Sequence, residues 1–272
     1  MKSKFYGFTN DSVFGWVMED KDFCKYVLQT ILPELNIKDI DFINRQHDIS
    51  TPDESKDIRL DILVKDTDDR LYDVEMQVAN HHNLGERMRF YQSKIDNHAL
   101  RKGNGYGAIK ESYVIFLCPF DPLDLDWFRY NFILVEEKAL KDLNIVKELH
   151  DKAHRIIINS KGANPDASDD LRALADLMNG HPRNINKQMD YAIKEIERIN
   201  NDPEKRRFLM SEEEKLNDVA SYNRAKGRVE ERARVYKEIG KTKQEALNDI
   251  NALNIMDSET VAKIVNRIYE ED

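Results

Sequence analysis

The stretch Asp57 to Val78, DIRLDILVKDTDDRLYDVEMQV, decides the fold. Ile58, Leu60, Ile62 and Val64 alternate with Asp57, Arg59, Asp61 and Leu63, and Tyr72, Val74, Met76 and Val78 alternate with Asp73, Glu75 and Gln77. Two period-2 runs joined across Asp68-Asp69 predict an antiparallel hairpin. Residues directly opposite in such a pair share a face. A turn centred on Asp68 therefore pairs Lys65 with Leu71, Leu60 with Met76, and Asp61 with Glu75. A slip of two residues would set Asp61 against Asp73 or Gln77 instead.

Opposed carboxylates with Cβ atoms about 4.5–5.5 Å apart repel and destabilise a sheet. A hard divalent cation offsets that repulsion, because magnesium prefers carboxylate oxygens, backbone carbonyls and waters. On residue types alone, a solvated acidic strand face accounts for the pattern equally well.

The 272 residues suffice for one large domain, or one domain with an appendage. No run approaches the length of apolar chain that a membrane span needs. The opening MKSKFYGFTND has no apolar core and reads as mature protein rather than a signal peptide. Cys24 and Cys118 stand among apolar neighbours without a CxxC, which predicts buried reduced thiols in a cytoplasmic protein. A formal charge of −9 argues against a broad basic nucleic-acid surface, though not against a local one.

In chain order, Asn10 or Asp11 caps an amphipathic helix with a break near Asp20 and an end at Pro33. A strand around Ile40, Phe42 and Ile43 follows, then the hairpin. A helix over Asn83–Arg101 comes next and stops at GNGYG. Ser112–Cys118, SYVIFLC, is a continuous apolar run and predicts a buried strand. Further strands are expected at Tyr130–Val135 and His154–Asn159. From Pro165 onward only helices are expected, among them a long charged one over Leu209–Lys243. Tyr222–Lys243 holds eight basic residues and three acids, which suits nucleic acid or a solvated connector. The last two helices look too small to bury a core alone, which favours docking on a second copy, a homodimer.

The order αβββαβ, with an aspartate in the second core strand and E-x-Q in the third, resembles the PD-(D/E)XK nuclease superfamily. More closely, the chain resembles the recombination-promoting nuclease/putative transposase (Rpn) family. The matching pieces are NDSVFGWVM, RLDILV, YDVEMQ, RMRFYQSKI, KGNGYGAIKESYVIFL, HRIIINSKG and PEKRRFLMSEEEKLNDVASYNRAKGR. The resemblance implies an α/β, restriction-endonuclease-like core over residues 1–180, with a mixed central sheet flanked by helices. An all-helical extension would occupy 181–240, and a helical hairpin 241–272.

It also implies a magnesium-dependent DNA endonuclease of little sequence specificity that promotes recombination, with manganese or calcium able to substitute in binding and no organic cofactor. The alternative is an inactive DNA-binding or assembly protein on the same fold. Asp61 matches the metal-binding aspartate and Glu75 the acid of the E-x-K half-motif, and the Met76 carbonyl would be a further ligand. Gln77 stands where that motif has lysine; its amide can orient water but carries no charge. Asp11 sits where the first helix carries an acid, although Asn10-Asp11 is equally a capping arrangement. Gly15 replaces a basic residue. DNA contact is expected from Arg87, Arg89, Lys94, Arg101 and Lys102 beside the site. A solvated helix face would look the same.

Overall fold

A computed structural model describes residues 4–49, 58–100, 103 and 105–271. The chain divides into two compact units, Met1–Asp202 and Pro203–Asp272. The expected divisions at 180 and 240 lie elsewhere than this boundary. Helix Lys187–Asn201 is tied to the start of the chain, because the buried Asn200 side chain accepts from Tyr6 N–H and donates to the Tyr6 carbonyl, both at 2.9 Å.

The first unit opens with α1 (Asp11–Met18) and α2 (Lys21–Ile31). Asn10 caps α1 and Asp20 caps α2, each accepting a backbone N–H three residues on, so the break falls at Asp20. Then follow β1 (Ile40–Ile49), β2 (Ile58–Asp66), β3 (Leu71–Met76), α3 (Leu84–Ala99) and β4 (Ser112–Cys118). β5 (Arg129–Phe132), α4 (Glu137–Leu143), β6 (Ala153–Asn159), α5 (Asp169–Met178) and α6 (Lys187–Asn201) complete it. The six strands form one mixed sheet in the order β1-β2-β3-β4-β6-β5, with β3, β4 and β6 parallel and the remaining pairs antiparallel. Helix α3 covers one face through Leu84, Met88 and Ile95, packed with Leu63, Val114 and Phe116. On the other face α1 and α2 pack against β2 and β1 and join α5 and α6.

The hairpin adopts the expected register: Lys65 opposes Leu71, Val64 opposes Tyr72, Leu63 opposes Asp73 and Ile62 opposes Val74. Asp66 organises its turn. This aspartate is 1% exposed, and its carboxylate accepts from the N–H groups of Asp68 and Arg70, both at 2.9 Å. It also accepts from the Arg70 guanidinium at 3.1 Å and the Tyr72 hydroxyl at 2.7 Å. Asp69 takes the left-handed backbone conformation the tight turn requires.

Gly15 serves close approach. A Cβ there would stand 2.3 Å from Arg45 Cδ, and Arg45, reaching over from β1, lies above the Trp16 ring at 5.5 Å and pairs with Glu19 at 3.2 Å.

The second unit consists of α7 (Pro203–Glu238), α8 (Lys243–Ala252) and α9 (Ser258–Glu270). Val261, Ile264, Val265 and Ile268 of α9 bury against Val229 and Ala233 of α7 and Ala246 and Ile250 of α8. The terminal helices therefore close on α7 of their own chain. The argument that they need a second copy to bury their stripe does not hold.

The Asp66 clamp makes a clear prediction. Asp66→Ala removes four hydrogen bonds and strands a buried tyrosine hydroxyl, so urea unfolding should show a loss of about 2–4 kcal/mol. A loss below about 0.5 kcal/mol, the range of an ordinary surface change, would contradict the assignment.

Candidate active site

Strands β2 and β3 part just beyond the Ile62–Val74 pair, where Asp61 and Glu75 are next in register. Their side chains fill the places that ladder bonds would have taken. The Glu75 carboxylate accepts the Asp61 N–H at 2.7 Å, and the Asp61 carboxylate accepts the Met76 N–H at 2.9 Å. Each acid thus satisfies an amide at the opening, and the two are held facing each other where the sheet forks. Their opposition follows from even side-chain spacing together with a turn fixed by Asp66.

β3 is an interior strand, bonded to β2 on one side and β4 on the other. Its polar face lies under α3 rather than in water. Glu75 is 2% exposed, Gln77 5% and Asp73 0%. Burial pushes the carboxyls of Asp73 and Glu75 well above the ordinary carboxylate range, and the neighbouring charge of Asp61 adds to both shifts. Asp73 and Glu75 stand close enough to interact. Protonation of either lets it donate to the other, and apart from Glu75 neither Asp73 oxygen meets a hydrogen-bond partner.

Gln77 is held from the helix. Arg87 donates through Nη1 to Gln77 Oε1 and through Nη2 to the Tyr91 hydroxyl at 3.1 Å. Its guanidinium lies over the rings of Tyr91 and Phe116 at 5.6 and 5.7 Å. Because Oε1 is engaged by the guanidinium, Nε2 is the end of the amide turned to Glu75, 3.5 Å from Oε2. Tyr91 packs edge-on against Phe116, and burial pushes its hydroxyl up to about 12.

The remaining expected residues are placed as follows. Asp11 is the exposed first residue of α1, and the cap is Asn10. Arg89 is exposed and lines a cleft of about 750 Å³ with Leu84, Met88, Phe132, Leu134 and Arg155; none of Asp61, Asp73, Glu75 and Gln77 lines it. Lys94 is 5% exposed, with its ammonium 5.2 Å from the Phe90 ring centroid, so it is no solvent-facing cation. Arg101 and Lys102 lie outside the described residues.

The donor chemistry suits a hard divalent ion. Asp61 and Glu75 offer carboxylate oxygens, and a backbone carbonyl lies adjacent at Met76. Among the described residues, no three His, Cys, Asp or Glu side chains converge as a ready-made cage. Asp61 and Glu75 each commit an oxygen to a backbone amide.

The raised carboxyls set a pH dependence for the metal-free protein. A carboxyl whose folded pKa exceeds its unfolded value of about 4 stabilises the fold below that value and loses this contribution as pH rises through the folded pKa. Between about pH 5 and 8, wild-type stability should therefore fall relative to Glu75→Gln, whose amide still accepts the Asp61 N–H. Thermal unfolding in chelator across that range checks it; parallel curves for the two proteins would refute the assignment.

The family model for PD-(D/E)XK nuclease family transposases matches residues 6–226. No curated protein and no solved structure matches the chain. The match covers both strands of the fork, α3, the whole sheet and α1, so the chain belongs to the PD-(D/E)XK nuclease family transposases.

Proposed function

We propose that this protein is a magnesium-dependent DNA endonuclease that hydrolyses phosphodiester bonds with little sequence preference and promotes recombination. The observation that carries the reading is the fork, where Asp61 and Glu75 face each other one step beyond the last paired residues, with Gln77 beside them. Asp61, Glu75 and the Met76 carbonyl would hold the ion, and manganese or calcium would substitute in binding. Bound there, magnesium supplies charge neutralisation for the phosphate and an acidified water.

The chain's own groups do the rest. Arg87 fixes the Gln77 amide so that Nε2 is the donor facing the acids, suited to orienting a water or a phosphate oxygen. The guanidinium also places a permanent positive charge one contact behind Gln77. This offsets the charge that glutamine lacks compared with lysine. Asp11 would hold a solvent molecule at the α1 side. Arg89, with Arg101 and Lys102, would bind DNA phosphates in a salt-sensitive, sequence-independent way. Two buried free thiols suit a reducing cytoplasmic setting. Among the described residues no helix is long and apolar enough to cross a membrane.

Purified protein should nick or cleave plasmid DNA in magnesium. Asp61→Ala and Glu75→Ala should abolish this, and Arg87→Ala should lower the rate by about 10²-fold. Circular dichroism confirms that each variant is folded. Equal trace cleavage by wild type and variants, together with DNA retention at low salt, would instead assign a non-catalytic DNA-binding or assembly role.

A further inference from the structure

We propose that this protein forms a two-fold dimer in which an apolar arm of each protomer occupies a cleft of the other. The arm is the excursion between β5 and β6. Residues 134–136 run antiparallel to 147–149, with the Glu136 N–H donating to the Lys147 carbonyl at 2.8 Å and the Leu149 N–H to the Leu134 carbonyl at 2.9 Å. Helix α4 forms the tip. The arm thus holds its own backbone together, yet it covers almost none of its side chains. α4 buries no residue. Leu140, Leu143, Ile145, Val146 and Leu149 are all exposed, Leu143 by 66% and Leu149 by 70%. A contiguous run of this kind marks a contact surface rather than a solvated connector.

The cleft lies at the root of the arm, walled by Leu84 and Met88 of α3, Phe132 of β5, Leu134 and Ile157 of β6. Arg89, Arg155 and Glu86 also line it, and among the described residues none of the three makes a hydrogen bond or an ion pair. Arg155 is the more enclosed arginine, with its Nε shielded from water and unpartnered. An occupant must therefore be apolar and carry an acid. The arm is such a segment. Asp142 stands next to Leu143 near the end of α4 and, among the described residues, has neither a hydrogen bond nor an ion pair. The ammonium groups of Lys138 and Lys147 are likewise unpaired there and complement Glu86.

In its own chain α4 stays outside the cleft, since none of its residues lines it. A second copy supplies the same arm, and a reciprocal exchange fills both clefts and covers both arms in one closed arrangement. β5, from which the arm springs, is the last strand of the sheet, so that side is open to a partner. Arm and cleft together reach the extent of a stable interface, about 20–30 residues a side. Asp142 of each arm would meet Arg155 of the other cleft, which leaves the exposed Arg89 for phosphate.

Sedimentation of the full chain tests the exchange. Wild type should be a dimer at micromolar concentration. Leu140→Asp with Leu143→Asp, both at exposed positions, should weaken the dimer by about 100-fold or more without loss of helical circular dichroism. Asp142→Arg and Arg155→Glu should each weaken it by at least about 10-fold. An equimolar mixture of these two proteins should recover dimer, because every arm then faces a cleft of opposite charge. A monomeric wild type would overturn the proposal, as would a dimer that survives the double arm substitution. So would a mixture that associates no better than either variant alone.

Discussion

Two carboxylates set opposite each other on neighbouring strands repel, and the site depends on how the chain keeps them there. The β2–β3 register leaves Asp61 and Glu75 no choice of partner, and the strands separate at that step. Each acid then accepts the N–H that the parting strands would leave unpaired. A backbone requirement and a side-chain requirement are met by the same two hydrogen bonds. The arrangement concentrates acidic groups under α3, where burial makes their charge costly.

At the two positions where the sequence differs from the nuclease motif it resembles, an arginine from another element stands close by. Gln77 carries no charge, and Arg87 of α3 reaches its amide oxygen. Gly15 carries no side chain, and Arg45 of β1 lies in the space a side chain would have occupied, against Trp16 and Glu19. In both cases the positive charge comes from an element that the linear motif does not contain. A motif read as a string of letters counts these positions as losses, whereas the fold places charge near them from elsewhere.

Much of the architecture was legible because it follows local periodicity. The hairpin register, the apolar β4 run and the helix break at Asp20 are consequences of spacing and of a few turn and cap residues. What escaped the reading depends on neighbours far along the chain. Asp73 looked like part of a solvated strand face. The clue lay in SYVIFLC, since a strand buried along its whole length makes β3 interior and so buries both of its faces. Arg87 and Lys94 looked like outward cations. Arg87 instead sits one turn before Tyr91 and bonds Gln77, and Lys94 sets its ammonium over the Phe90 ring. In the second unit, Val229 and Ala233 were hidden among charges, so the surface that receives the terminal helices could not be recognised from composition.

The acids that define the site are only 14 residues apart, and the loop joining their strands is tied down by its own aspartate. Closing so short a segment forfeits little chain entropy, and such contacts form early compared with pairings between distant strands. The parallel strands β4 and β6, which wall in β3, must wait for intervening helices and loops. As the chain emerges during synthesis, the hairpin therefore meets solvent and dissolved ions before its cover is in place. Two opposed acids can in this way be brought together while water still screens them, ahead of their enclosure.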